Sequence, residues 1–289
     1  MPTNESEIHL TQGRGRFYVI SPPSLSAIRL GRDLRILIQY RDLLYTLSLH
    51  RIKVRYKQSV LGGLWAILQP LSLMLMFTFV FRYVTTVASD GIPYAVFAYS
   101  ALLPWNYFSS GVSNATNSLV SNTQFVTKVY FPREILPATY VIAASFDFVL
   151  ASVILIALMA YYHIPLTINA LYAIPIIVVL TCFSLAISLF LSATQVRFRD
   201  IGVAVPLLLQ LWLFATPVIY PLSAVPARYK SLYMLNPMVG IIENFRQVLI
   251  RGTPPDFWSL FVTSDISIPL LVVSYVYFKR IETTMADFI

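Results

Sequence analysis

Charge is what this 289-residue chain has least of: Asp, Glu, Lys and Arg make up 12% of it, against 57% hydrophobic residues. A soluble domain carries about 25% charged residues, so a soluble globular fold is excluded. Cysteine is nearly absent as well. Cys182 stands alone inside an apolar run, which excludes an internal disulfide and a thiolate metal cluster and leaves membrane packing as its role. His9, His50 and His163 lie far apart. No HExxH, DxD or nucleophile-elbow pattern occurs, and acids and bases do not cluster. Neither a metal site nor hydrolytic or transferase machinery is expected, so the catalytic, metal and cofactor-binding sets are empty. None of the ten glycines opens a GxxxxGK[ST] loop; ATP-driven work would need a second protein to hold the nucleotide. The polar, basic stretch over residues 1–58 has no short apolar core with a cleavage site, so no signal peptide is read there. Internal repeats and paired intramembrane carboxylates are missing too, which argues against ion coupling.

What the chain does have is long apolar runs. Six are long enough to cross ~30 Å of hydrocarbon, near 63–86, 94–120, 138–162, 169–195, 202–220 and 259–279. The fold class is an all-α integral membrane protein with six transmembrane helices. Threaded alternately, the spans leave the basic N-terminal region, Lys128, Arg133, Arg197, Arg199, Lys279 and Arg280 on one side. The other side receives Arg228, Lys230, Arg246 and Arg251, so both termini read as cytoplasmic by the positive-inside rule. The net charge of +8 is spread over membrane-flanking loops, which suits anionic lipid and not nucleic acid.

Residues 1–30 read as a polar N-terminal extension, 31–58 as an amphipathic interface helix and 59–289 as the six-span domain. In the interface helix Ile36, Tyr40, Leu43, Leu44 and Leu47 recur at helical spacing, while Arg35, Asp42 and Thr46 face the other way. Arg51, Lys53, Arg55 and Lys57 then mark the headgroup level before the first span, on the plain reading as topology anchors. The stretch 121–137 is a charged, proline-punctuated cytoplasmic segment. The stretch 221–257 is too polar to cross and reads as one or two short helices on the outer side, with an apolar stripe of Ile241, Ile242, Phe245, Val248 and Leu249.

Span two carries Asn106, Ser110, Ser113, Asn114 and Asn117 at spacings of three and four, a polar face that meets either neighbouring helices or a hydrated cavity. Aromatics including Phe77, Phe81, Tyr99, Trp105, Tyr107, Trp212 and Tyr220 form an interfacial belt or, where turned inward, a platform for sugar C–H faces. Asp147 stands inside span three, where an ionised carboxylate costs several kcal/mol unless paired or hydrated. No lysine or arginine within the spans is an obvious partner, so it reads equally as a packing contact or a functional site.

Several stretches together resemble the permease subunits of ABC exporters that move lipid-linked polysaccharides such as O-antigen, capsule and teichoic acid. They are RIKVRYKQSVLGGLWAILQPL at 51–71, FVTKVYFPREILP at 125–137, RFRDI at 197–201, ATPVIYP at 215–221 and LNPM at 235–238. The resemblance implies a homodimer in the cytoplasmic (inner) membrane, working with two separate ATPase subunits that bind ATP and Mg. It implies ATPase coupling through Phe125, Lys128, Tyr130, Phe131, Pro132, Arg133 and Glu134, with Arg197, Arg199 and Asp200 on the same side. It further implies a channel lined by spans one, two and five, taking in Phe77, Phe81, Tyr99, Trp105, Asn106, Tyr107, Ser110, Asn114, Trp212 and Tyr220. Gate helices would carry Pro237, with Glu243 and Arg246 turned away from the apolar stripe. Two other readings are weighed against it: export of a drug or simple lipid by the same fold, and a membrane transferase acting on a lipid-linked sugar. The FPREILP match and the aromatic density favour polysaccharide.

Overall fold

In hydrocarbon a backbone amide has no water to bond, so each crossing segment must satisfy its own hydrogen bonds as a helix. The computed structural model describes residues 38–57, 59–83 and 91–285, and among these there is no strand. The helices are α1 (Arg41–Lys57), α2 (Leu64–Tyr83), α3 (Tyr94–Thr116), α4 (Thr123–Lys128), α5 (Ile135–Tyr161), α6 (Ala173–Arg197), α7 (Ile201–Phe214), α8 (Ala227–Met234), α9 (Pro237–Arg246) and α10 (Phe257–Glu282). The N-terminal extension, with Arg35 and Ile36, lies outside the described residues.

Four stretches are long and apolar enough to cross a membrane: Leu64–Phe81, Ile135–Tyr161, Ile168–Arg197 and Phe257–Glu282. The second and fifth expected spans differ from these for opposite reasons. The 23-residue α3 has the length but carries serines and asparagines. The 14-residue α7 is apolar but spans only about 21 Å, because Ala215–Tyr220 leaves the helix at Pro217 instead of continuing it.

The least apolar long helix is the most buried. Helix α3 packs against α2, α5, α6, α7 and α9, since polar side chains that face lipid would have no partner whereas those between helices do. Small residues permit the approach: a Cβ on Gly111 would meet the Ala144 Cβ of α5 at 3.5 Å. Buried hydroxyls return to their own helix, as Thr116 does to the Val112 carbonyl (2.8 Å) and Ser184 to that of Leu180 (2.7 Å).

At one end of the bundle a second apolar cluster joins Leu119, Val126, Phe131, Ile135, Leu189, Phe278 and Ile281. Tyr40, Leu43, Leu44 and Leu47 of the α1 region pack on it, and Asp42 and Thr46 are exposed. The apolar stripe read from the sequence is therefore the face that seats α1. This end gathers α1, α4, the start of α5 and the ends of α6 and α10, as alternate threading requires.

At the opposite end α8 is largely exposed while α9 is buried against α3, α6 and α10. Gly240 makes the contact possible: a Cβ there would stand 2.0 Å from the Thr263 hydroxyl oxygen. This corrects the placing of Arg246. It is 1% exposed, pairs with Glu243 at 2.7 Å, donates to the Pro217 and Val218 carbonyls at 3.2 Å each and lies 3.7 Å over the Phe97 ring. A guanidinium with a carboxylate, two carbonyls and an aromatic face can be buried, whereas a lone cation cannot.

Candidate functional site

Between α2, α3, α5 and α7 lies an open cavity of about 720 Å³. Its α3 wall carries Asn106, Ser110 and Asn114 at four-residue spacing, joined by Ser109 and Ser113. Gln69 and Pro70 of α2 and Gln210 of α7 border it, as do Phe77, Trp105 and Tyr107. The buried amide nitrogen of Asn106 has no hydrogen-bond partner among the described residues. The wall thus presents a row of amide and hydroxyl groups, with Phe77, Trp105 and Tyr107 seated behind it, each 7% exposed or less, a surface suited to a ligand rich in hydroxyls.

Of the aromatics named from the sequence, Phe77, Trp105 and Tyr107 border this cavity and four do not. Tyr99 is fully buried and donates to the Ala151 carbonyl at 3.0 Å. Trp212 packs edge-on against Trp105, Phe108 and Phe183. Phe81 packs on Tyr94, and Tyr220 donates to the Phe214 carbonyl at 2.9 Å and meets the Tyr233 hydroxyl at 3.1 Å. Tyr99 is thus part of the scaffold, whereas Trp212 is half-buried and borders a second pocket with Tyr233 and Asn236. Span three contributes more than expected, through Ala144, Asp147, Phe148 and Ala151. Gln210 was the signal available but unused, the single amide in an otherwise apolar α7.

Asp147 has a partner after all. Arg55, read as a headgroup anchor, forms an ion pair with Asp147, and the Tyr56 hydroxyl donates to the other carboxylate oxygen. Burial, and then the adjacent Asp147 carboxylate, push the Tyr56 hydroxyl above the usual tyrosine range, so it remains a donor. Arg51 lies 4.6 Å over the Tyr140 ring and donates to the Asn122 side-chain carbonyl at 2.6 Å. Two arginines thus tie α1 to α5 and its approach, while Lys53 and Lys57 are exposed.

At the α1 end, the segment 121–137 folds as α4, an extended stretch and the start of α5. Tyr130 is 97% exposed, with Phe125, Lys128 and Val129 also exposed, whereas Phe131 is buried and Pro132 half-buried. Arg197, Arg199 and Asp200 are exposed in the α6–α7 turn. The expectation that Arg133 and Glu134 face water or a partner is corrected. Glu134 is 4% exposed, with Lys279 at 2.8 Å and the Tyr275 hydroxyl at 3.3 Å. Arg133 donates to the Glu282 carbonyl at 2.6 Å, and Lys279 also pairs with Glu282 at 2.9 Å. Burial, then the nearby Glu282 carboxylate, raise the Glu134 pKa against the opposing pull of Lys279. The network joins the start of α5 to the end of α10.

A bundle of long apolar helices around a polar-walled cavity defines a multi-pass membrane protein. The profile of the ABC-2 type transporter family matches residues 42–250, and the chain belongs to that family. It is 35% identical over 260 residues to the O-antigen export system permease protein RfbA of Myxococcus xanthus, covering 89% of this chain and 98% of that protein. It is 30% identical over 249 residues to an RfbA of Klebsiella pneumoniae, covering 85% and 94%. With the polysialic acid transport protein KpsM of Escherichia coli it shares 25% identity over 247 residues, covering 83% and 93%.

Proposed function

We propose that this chain is the membrane-spanning permease of an ATP-driven exporter that moves a lipid-linked, O-antigen-like polysaccharide across the cytoplasmic membrane. The observation that carries the reading is the cavity, with its row of Asn106, Ser110 and Asn114 beside Trp105, Tyr107 and Phe77. Relatives named for O-antigen export are more similar than those named for polysialic acid transport, which favours an O-antigen-like glycan over a capsule.

In this reading α2, α3, α5, α6, α7 and α10 are the six spans, and the basic α1 end faces the cytoplasm with both termini. The cavity is half of a channel that a second copy completes; Val203, Leu207 and Leu211, exposed at four-residue spacing on α7, support an apolar contact beside it. Two separate ATPase subunits hold ATP and Mg. They dock on the exposed Phe125, Lys128, Val129 and Tyr130, with Arg197, Arg199 and Asp200 alongside. Their closure moves α4, and with it α5 and α10 through the Glu134–Lys279–Glu282 network. The exposed α8, not the buried α9, is the part of the outer segment free to act as a gate, pivoting near Pro237.

Reconstitution with the partner ATPase in proteoliposomes tests this. Undecaprenyl-linked glycan should raise ATP hydrolysis several-fold and appear on the far side of the membrane. Failure to form a complex with any ATPase would sink the proposal.

A further inference from the structure

We propose that Arg55 is a phosphate-binding residue. Its guanidinium, held from one side by Asp147, takes on its other edge the phosphate head of an amphiphile whose apolar chain runs along the outer face of α2. The proposal rests on the permease reading for the amphiphile's onward fate, not for the chemistry of the site.

Guanidinium presents five N–H donors in a planar fork that matches phosphate oxygens in pairs. Arg55 uses one nitrogen, Nη1, toward Asp147, its side chain is 34% exposed, and it borders the cavity. Donors therefore remain at the cavity mouth. An ionised carboxylate inside a span is costly unless paired; Arg55 is the partner of Asp147, whose second oxygen is kept by the Tyr56 hydroxyl. An arriving phosphate takes the remaining donors and shares the guanidinium's charge with Asp147, whose carboxylate Tyr56 keeps in place. Asp147 is thus a positioning residue and a built-in competitor, a role a purely structural ion pair would not have.

The surroundings specify an amphiphile rather than a free anion. Within a few residues the surface passes from exposed Lys53 and Lys57 to Val60, Leu64 and Trp65, all exposed, and Trp65, at 54%, also borders the cavity. That is a boundary between a charged head and an apolar chain. A lipid carrier and a bulk anionic phospholipid share this chemistry.

The test is direct binding to the full chain in nanodiscs of phosphatidylcholine, without ATPase or transport, titrated with undecaprenyl pyrophosphate, phosphatidylglycerol or inorganic pyrophosphate. The wild type should bind undecaprenyl pyrophosphate saturably. Arg55→Gln should weaken binding by about tenfold or more, with partial rescue in Arg55→Lys, whereas Asp147→Asn should tighten it several-fold and a Lys53→Gln, Lys57→Gln pair should change it little. Preference for undecaprenyl pyrophosphate over phosphatidylglycerol assigns the site to a lipid carrier, and equal binding assigns it to anionic lipid in general; both keep the phosphate site. Unchanged binding in Arg55→Gln, equal losses in Arg55→Gln and Asp147→Asn, or equal affinity for inorganic pyrophosphate would overturn the proposal. Because no ATPase takes part, failure here and failure of the permease reading are separate results.

Discussion

Replacing Arg246 with methionine is expected to destabilise the protein by about 3–5 kcal/mol, enough to lose most of the folded material in detergent. The side chain is buried with Glu243, the Pro217 and Val218 carbonyls and the Phe97 ring around it. Methionine fills most of the volume but leaves a carboxylate and two carbonyls without their donor, and stranded acceptors cost more than the lost bonds themselves. Arg246→Lys should recover only part of the stability, since one ammonium cannot serve the carboxylate and both carbonyls in the same geometry. A double variant that also replaces Glu243 with glutamine should recover some, by removing the charge that the guanidinium had balanced. Thermal unfolding in detergent measures all three. A methionine variant as stable as the wild type would show that the arginine does not hold α9 to the Pro217 turn.

Replacing Lys279 with methionine is expected to act at the other end and in a different way. Glu134 is nearly buried, and its partners are Lys279 and the Tyr275 hydroxyl. Without the ammonium, burial and Glu282 are opposed only by a backbone hydrogen bond to Glu134, and its pKa moves further above the ordinary glutamate value. With the folded-state pKa above the unfolded one, the folded state holds the proton more tightly. Stability is then greatest below the unfolded value and falls as pH rises through the raised one. The variant should therefore lose roughly 2–4 kcal/mol at about pH 8 and regain much of it near pH 5. Adding Glu134→Gln should remove both the loss and its pH dependence. In the reconstituted complex, Lys279→Met should keep the ATPase bound but waste its hydrolysis, since α5 and α10 no longer move with α4. Unimpaired export in that variant would mean the network is structural only.

Much of this architecture is written in plain lengths. Four of the six apolar runs coincide with helices long and apolar enough to cross, because a crossing segment has no alternative to an internally bonded helix. Pro137 falls in the first turn of α5, where a missing N–H costs nothing. What a sequence hides is which charges meet across the fold. Arg55 and Asp147 are 92 positions apart, and an arginine beside a membrane start has the same pattern whether it anchors a headgroup or clasps a carboxylate. Arg133 and Glu134 look like a surface charge pair, yet their partners come from the end of α10, some 145 residues further on for Glu134 and Lys279. Arg246 falls on the polar side of a helical wheel, and its burial follows from what meets it across the fold: Glu243, the carbonyls of the Pro217 turn and the Phe97 ring. Trp212 and Tyr99 show the same limit: an aromatic in an apolar helix carries no mark of whether it faces a cavity or a neighbour.

These contacts redirect mutagenesis of the docking surface. Charge reversal at Arg133 and Glu134 would break internal pairs and confuse loss of fold with loss of coupling. Phe125 and Tyr130, which project outward, are the side chains whose removal reports on a partner.

In the proposed function the cavity beside α3 is the path of the exported glycan. Cysteine at Ser110, in a Cys182→Ser background, puts one reactive thiol on that wall. In proteoliposomes containing the ATPase and undecaprenyl-linked glycan, a membrane-impermeant maleimide added from the cytoplasmic side should label this cysteine. The glycan should protect it, and labelling should stop export. Complete labelling with export at the wild-type rate would mean that the glycan takes another path.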